Sequence, residues 1–377
     1  MSDRPLRIAL LSYRGNPHSG GQGIYVRYLS KALTDLGHRV EVFAGPPYPE
    51  LQNGARLTKV PSLDLYRADD PFRRPRRHEF RDAIDAFEFG LMCIASFPEP
   101  LTFSLRVRRL LAARADDFDV VHDNQCLGYG LLPLRRQIPV VTTIHHPCTI
   151  DRDVAIANAP TWSKKIALRR WYGFTTMQGR VARRLDRIVT VSDSARDDVM
   201  REFAVPRSNI AVVHNGVDTD LFRPLDRVER VPGRVVTTTS SDQPLKGLVH
   251  LLEAVAKLRT ERDVTLVVIG RHKKRGPIAT ALHRFELDDA VEFKSGIDYL
   301  ELVEEFARAE VAVVPSLYEG FSLPAIEAMS CSVPLVTTTG GALPEVTGPD
   351  GECALHVPPG DAGAMATAIG RLLDDVD

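Results

Sequence analysis

Short, almost uninterrupted apolar runs alternate with amphipathic stretches along this 377-residue chain, and the pattern occurs twice. In the first half the runs are LRIALLSY, HRVEVFAG, DVVHDNQ, IPVVTTIHH, DRIVTVS and NIAVVHNGV. A helix-like stretch, IYVRYLSKALTDLG, separates the first two. Its Ile24, Tyr28, Leu29, Ala32, Leu33 and Leu36 recur at helical spacing, and Gly37 is placed to cap it. Residues 223–233 then carry two prolines, several charges and a glycine, and read as a linker. The alternation restarts with RVVTTTSS, VTLVVIG, AVEFKSG, VAVVPS, VPLVTTTGG and CALHVP, with helix-like segments such as GLVHLLEAVAKLRTE and YLELVEEFARAE between them. A strand exposed on one face alternates apolar with polar residues, whereas a strand buried on both faces is apolar throughout. The pattern therefore predicts two α/β, doubly wound domains with parallel sheets, residues 1–222 and 234–377, facing a cleft.

Composition narrows the function. The chain is 44% apolar and 26% charged with a formal net charge of −1, so the basic footprint of a nucleic-acid binder is absent overall. The five cysteines (Cys93, Cys126, Cys148, Cys331, Cys353) are scattered and form no CxxC, which argues against a disulfide framework or a structural zinc site and for a reducing cytoplasm. MSDRPLRIALLSY reads as a first strand, not a secretory signal. The apolar run FEFGLMCIASF holds Glu88 and stops before Pro98, too short to span a membrane. Residues 67–81, RADDPFRRPRRHEFR, are basic. They fit a solvated surface segment, or attraction to an anionic membrane or a phosphorylated acceptor.

Several segments fall where a doubly wound sheet binds ligands. GGQG at residues 20–23 follows the first strand, and Gly21 and Gly23 permit close backbone approach; a tight turn explains the same letters. In SSDQPLKGL, Lys246 precedes a helix and is a phosphate-ligand candidate. Asp218-Thr219-Asp220 has the letters of a metal motif but sits in the HNGVDTDLF turn, and reads as structural. His145 and His146 close the run VVTTIHH, and Asp123 and Asn124 close the run before it. The most informative segment is YEGFSLPAIEAMS, residues 318–330. It places Glu319 and Glu327 eight positions apart around a turn that opens a helix. A helix N-terminus offers free N–H groups and positive potential, which suit an anion. Glu327 fits a first helical turn on that ground alone; Glu319, in the turn before, does not.

The order and spacing of these motifs resemble the retaining glycosyltransferases of family 4, with the GT-B fold. The resemblance covers nearly the whole chain. It runs from GGQG and LGHRVEVF through TIHHP, TVSDSARDDV, NGVDTDLFRP, PLKG and LVVIG to PSLYEGFSLPAIEAMS, VPLVTTTGGALPEV and VPPGD. It implies that Glu319 accepts hydrogen bonds from a donor hexose and Glu327 holds the ribose hydroxyls of a nucleotide. The N–H groups of Gly320, Phe321, Ser322 and Leu323 would meet sugar and diphosphate, and Lys246 would neutralise the diphosphate. It places Gly296 and Ile297 at the base and His145 at the transferred sugar. His18, Asp123, Asn124 and His146 fall on the acceptor side. One departure stands out. The family's arginine shortly before the lysine is replaced here by the region Ser240-Ser241-Asp242, so Ser241 occupies a donor-site position without the usual charge. Arg271, Lys273, Lys274 and Arg275 are candidate replacements.

The resemblance thus implies a hexosyltransferase using a nucleotide-diphosphate sugar, with UDP ahead of GDP, and a hydroxyl acceptor that is a glycan, a small molecule or lipid-linked. It implies no cofactor and no metal, with the helix N-terminus and Lys246 taking the charge a metal would take. It also implies a cytoplasmic protein, with contact to the inner face of the membrane as the peripheral alternative. A binding protein of the same fold without turnover is the competing reading, favoured by Ser241 and by the expected loss of a final crossover helix after AGAMATAIGRLLDD.

Overall fold

The computed structural model describes residues 4–16, 21–52, 54–67, 69–239, 243–271, 273 and 275–375. Two compact units result. The first comprises Met1–Val191 with Arg196–Val213, the second Ser192–Ala195 with His214–Asp377.

The first unit runs β1 (Arg7–Ser12), α1 (Gly21–Asp35), β2 (Arg39–Ala44), β3 (Arg56–Lys59), α2 (Ala83–Cys93), α3 (Glu99–Ala112), β4 (Val120–Asn124), α4 (Leu131–Leu134), β5 (Val140–Ile144), α5 (Cys148–Ala157), α6 (Trp162–Trp171), α7 (Phe174–Ala182), β6 (Arg187–Thr190), α8 (Asp193–Phe203) and β7 (Ile210–Val212). Its strands form one parallel sheet in the order β3-β2-β1-β4-β5-β6-β7. The uninterrupted apolar character of β1 has the expected cause. Ile8 and Leu10 pack into one core cluster, while Ala9 and Leu11 pack into another.

The second unit repeats the plan with β8 (Arg234–Thr238), α9 (Leu248–Leu258), β9 (Thr265–Ile269), α10 (Pro277–Arg284), β10 (Val291–Lys294), α11 (Tyr299–Arg308), β11 (Val311–Val314), α12 (Leu323–Ser330), β12 (Leu335–Thr338), α13 (Leu343–Thr347), β13 (Leu355–Val357) and α14 (Ala362–Asp374). Its sheet is parallel in the order β10-β9-β8-β11-β12-β13. Val311 and Val313 face one core cluster, Ala312 and Val314 the other. Truncating one of these buried aliphatic chains costs about 2–5 kcal/mol when it leaves a cavity. In each sheet the strand order reverses next to the first strand, at β1/β4 and at β8/β11. Ligands of such sheets bind beyond the carboxyl ends of the strands at these two places.

Three expectations need adjustment. Strand β3 has no counterpart among the apolar runs, because RLTK is a short edge strand with a charge at each end. The first domain ends at Val213, not at 222. Residues 214–222 belong to the second unit, where Phe222, 2% exposed, packs with Val236 and Phe306 and accepts a hydrogen bond from Ser330. Residues 223–233 are anchored rather than free. Val231 N donates to Arg308 O at 2.8 Å, and Arg230 donates to Ser332 O at 2.7 Å.

The 67–81 segment is largely occupied with its own unit. Arg73 bonds the Leu63 carbonyl and pairs with Glu79, Arg67 pairs with Asp69 and Asp70, and Arg81 pairs with Asp85. Behind it, the buried Arg106 joins Asp85 at 2.6 Å and Glu88 at 2.7 Å. Glu88, the charge inside the apolar run of α2, is thereby paired. None of the described helices is long and apolar enough to cross a membrane.

Candidate functional site

In the second unit the site is assembled from three backbone turns after β8, β11 and β12. The turn after β8 is a single 3-10 turn, Pro244–Lys246, closed by Gly247 in the left-handed region at φ 65°. Glycine is required there twice over. A side chain would be strained at that φ, and its Cβ would stand 1.9 Å from the Pro315 carbonyl oxygen. Leu317 N also donates to Leu245 O at 2.7 Å, so the lysine turn and the turn after β11 are locked backbone to backbone. On the other side, Gly341 lies against Glu319, where a Cβ would meet the Glu319 carbonyl oxygen at 2.2 Å. Ala342 N donates to that oxygen at 2.9 Å.

These locks bring two of the expected residues into direct contact. Lys246 Nζ donates to Glu319 Oε1 at 2.8 Å, and Ser316 Oγ donates to the same oxygen at 2.7 Å. The lysine side chain is 27% exposed and the glutamate 12%, so the pair is partly desolvated. Helix α12 starts four residues after Glu319. Its cap, Ser322, is 4% exposed and sits at φ 89°, a conformation that a residue with a Cβ rarely adopts. Ser322 Oγ accepts from Ala325 N at 3.4 Å, and Pro324 has no N–H to offer. Phe321 is buried with its ring 6.1 Å from that of His214, and His214 Nε2 is 3.0 Å from Glu345 Oε1. Glu327 is half-buried on α12. Among the described residues its carboxyl has no hydrogen-bond or ion-pair partner, and burial pushes it up to about 7. A desolvated acid without a partner is placed to receive donors from a ligand.

The remaining second-unit candidates are more peripheral. Gly296 is exposed at φ 75°, with the Arg271 guanidinium 4.0 Å from where a Cβ would stand; Ile297 is half-buried. Arg271 and Arg275 are exposed. Ser241 and Lys274 lie outside the described residues. Asp218 reads as expected, because its Oδ1 accepts from Asp220 N at 3.2 Å and Leu221 N at 3.3 Å, closing a turn.

In the first unit the site lies at the carboxyl ends of β4 and β5. Strand β5 ends at Ile144, so neither histidine is inside it and the two rings part. His145 Nε2 lies 2.7 Å from Asn124 Oδ1, and its ring meets Tyr25 of α1 edge to face at 4.6 Å. His146 Nε2 instead reaches Asp151 Oδ2 of α5 at 2.7 Å. Burial, with His146 and His122 nearby, holds the His145 imidazole down at about 3, so the ring is neutral. Gln125, at φ 51°, was not anticipated. Its Oε1 accepts from His145 N at 2.7 Å and its Nε2 donates to His146 O at 2.7 Å. The letters DNQ at the end of an apolar strand were the available signal.

Asp123 is a correction. It is wholly buried, its Oδ2 accepting from Leu127 N at 3.0 Å and from Thr142 Oγ1 at 2.8 Å, and burial pushes it up to about 6. It braces the turn that carries Asn124 and Gln125 and has no open face for an acceptor. Gly23 is buried in the first turn of α1, where a Cβ would stand 2.1 Å from Asn16 O. Gly21 has open space around it. His18 lies outside the described residues.

Two family models match the chain, Glycosyltransferase Family 4 over residues 19–221 and Glycosyl transferases group 1 over residues 233–375. A curated relative from Mycolicibacterium hassiacum, an MMP alpha-(1->4)-mannosyltransferase, is 53% identical, over 98% of this chain and 90% of its own length. The chain belongs to the family 4 glycosyltransferases. This hexosyltransferase is also 27% identical to a glycogen synthase of Mycobacterium tuberculosis, over 98% of this chain and 86% of that protein. Solved structures share the GT-B fold of the glycosyltransferase. Sucrose-phosphate synthase from Thermosynechococcus elongatus matches with a TM-score of 0.73 at 24% identity, covering 99% of this chain and 90% of the other. Anabaena HepE in complex with UDP and glucose matches with a TM-score of 0.69 at 16% identity, covering 98% and 90%.

Proposed function

We propose that the protein is a retaining, metal-independent α-mannosyltransferase that moves a mannosyl unit from a nucleoside-diphosphate sugar to a hydroxyl acceptor. The observation that carries the donor assignment is the convergence, on one unit, of the Lys246–Glu319–Ser316 cluster, the strained start of α12 and the unpartnered carboxyl of Glu327. A diphosphate supplies the anion that Lys246 and the helix N-terminus suit. A ribose supplies the adjacent hydroxyls that Glu327 suits, and a hexose supplies those for Glu319. The sugar and its α-(1→4) linkage are carried over from the mannosyltransferase relative.

In this reading Lys246 stabilises the negative charge that grows on the leaving diphosphate, an interaction stronger in the transition state than before it. The acceptor oxygen bonds to the anomeric carbon on the face that the phosphate oxygen leaves. The acceptor proton passes to that departing oxygen, so configuration is retained without an enzyme nucleophile. His145, neutral and held by Asn124, is assigned to the transferred sugar. Arg271 beside Gly296 is the candidate second cation in place of the charge that Ser241 lacks.

UDP headed the expectation from sequence, but no side chain of the base loop reports on it, and a mannosyl donor brings GDP-mannose forward. The acceptor is a glycan, lipid-linked or small-molecule hydroxyl, reached in the cytoplasm. Peripheral membrane contact would fall to arginines such as Arg74 and Arg77, which have no ion-pair partner among the described residues. Calorimetric titration without metal, with UDP-glucose, UDP-N-acetylglucosamine and GDP-mannose, tests the proposal. One donor should saturate, and EDTA should leave turnover intact. Binding without turnover on any acceptor would favour the binding-protein reading; no binding at all would remove the donor site from α12.

A further inference from the structure

We infer that Asn124 and Gln125 are the positioning residues of His145, Asn124 by selecting its tautomer and Gln125 by splinting its backbone, so that Nδ1 is presented as a bare hydrogen-bond acceptor. The inference rests on the reading above that His145 works at the transferred sugar. It deepens that reading by naming what makes a histidine competent there.

Donors and acceptors around the ring determine the tautomer. The Gln22 carbonyl oxygen can only accept, and it lies 3.4 Å from Asn124 Nδ2. The Asn124 amide is therefore oriented with its nitrogen toward Gln22 and its oxygen toward His145. That oxygen, 2.7 Å from His145 Nε2, can also only accept, so Nε2 carries the proton. A neutral imidazole has one N–H, so Nδ1 keeps its lone pair. Among the described residues nothing hydrogen-bonds to Nδ1. The Tyr25 ring, edge to face at 4.6 Å, limits rotation about the remaining torsions. Burial keeps the ring neutral, and His146 and His122 add to that effect.

Gln125 acts on the main chain. Its amide accepts from the N–H of His145 and donates to the C=O of His146, spanning the dipeptide with two bonds of 2.7 Å. Its own carbonyl is held by Gln178 Nε2 at 3.1 Å, and Gln125 is 3% exposed. The positive φ of Gln125 turns the chain straight after β4, and the Asp123 carboxylate fixes that turn through Leu127 N. The start of α1 also acquires a defined task. Gly23 has no Cβ, which lets the first turn of α1 lie against Asn16, and Gln22 then offers its carbonyl to Asn124.

A hydroxyl of the sugar can donate to the bare Nδ1. The opposite tautomer would set the Nε2 lone pair against the Asn124 oxygen and offer the sugar hydroxyl a donor in place of an acceptor. Geometry of this kind acts on the rate, because a small misplacement of an orienting group costs about 100-fold.

The test reads the tautomer directly. Long-range 1H–15N spectra of the whole protein, with His145 assigned by its loss in His145→Gln, report which ring nitrogen is protonated. The wild type should show protonated Nε2 and bare Nδ1 from about pH 5 to 8. Asn124→Leu should give a mixture of tautomers and lower kcat by about 10- to 100-fold, with the donor KM changed less than about threefold. Gln125→Glu, which keeps the acceptor but loses the donor, should lower kcat while leaving the tautomer in place. A wild-type spectrum with protonated Nδ1, or an Asn124→Leu spectrum identical to wild type, overturns the inference. A shifted tautomer with unchanged kcat would instead overturn the assignment of His145 to the sugar.

Discussion

Lys246 and Glu319 are joined by a 2.8 Å ion pair, and the oxygen that receives the lysine also receives Ser316 at 2.7 Å. The two residues come from turns 73 positions apart in sequence, so the pair exists only because those turns are locked. Before donor binds, each charge satisfies the other. A bound diphosphate competes for the lysine, and a bound sugar hydroxyl competes for the carboxylate. Exchanging one set of partners for the other costs little, whereas leaving either charge unpaired in a half-buried site costs several kcal/mol.

Lys246→Ala should therefore lower kcat by about 100- to 1,000-fold, the scale of losing one charge-stabilising group. Lys246→Arg should recover only part of the rate, because the planar guanidinium does not place a point charge where the ammonium was. Steady-state kinetics with saturating donor checks both, and a near-normal rate for Lys246→Ala would move the phosphate site elsewhere.

Gly247→Ala tests how the lysine is held. The substitution puts a methyl group 1.9 Å from the Pro315 carbonyl oxygen at a φ of 65°. The expected cost is about 2 kcal/mol or more. A lowered melting temperature should accompany a loss of turnover, since the turn cannot relax without moving Lys246. Unchanged melting would show that the turns after β8 and β11 are not locked.

Glu327 sets a pH dependence. Its carboxyl is pushed up to about 7 by burial, and hydroxyl donors from a ribose favour the charged form. Donor binding should therefore release a proton below pH 7. Affinity should rise with pH by up to about tenfold per unit from pH 6 to 7 and level off above it. A nucleotide sugar is the right probe, because a free diphosphate titrates on its own near pH 6. Calorimetry in buffers of different ionisation heat reads the proton directly. Glu327→Gln should flatten the profile, and a flat wild-type profile would contradict the ribose assignment.

The Arg106–Asp85–Glu88 cluster is a stability prediction away from the site. All three side chains are buried, and the arginines hold the Asp85 carboxyl down at about 2. Arg106→Ala leaves two acids buried together and should cost about 3–5 kcal/mol. Because the Asp85 value is depressed, its contribution is present above about pH 4 and is lost as the pH falls toward 2. Thermal melts at pH 7 and pH 3 check both statements.

Much of this was legible in the sequence because the relevant physics is local. Among the described residues, twelve of the thirteen strands announce themselves as apolar runs, and the doubly wound order follows from burial on both faces. The YEGFSLPAIEAMS segment reveals itself because a helix start beside two acids needs a ligand to make sense of it. What was not legible depends on tertiary packing. Residues 214–222 look like the end of the first domain, yet Phe222 is buried in the core of the second unit. Asp123 looks like a site residue by position, yet it is sealed beneath the turn it braces. Gln125 carries no signal beyond the letters DNQ at the end of an apolar strand; its backbone conformation and its two hydrogen bonds show what it does.

Product analysis decides whether the protein is a retaining, metal-independent mannosyltransferase. The purified protein would be incubated with GDP-mannose, and in parallel with UDP-sugars, together with a panel of glycan and small-molecule hydroxyl acceptors and EDTA, and the anomeric configuration of the new bond read by NMR. An α-linked product from the α-configured donor, formed without metal and lost in Lys246→Ala, is expected. A β-linked product, or turnover that appears only when a divalent ion is restored, would overturn the assignment.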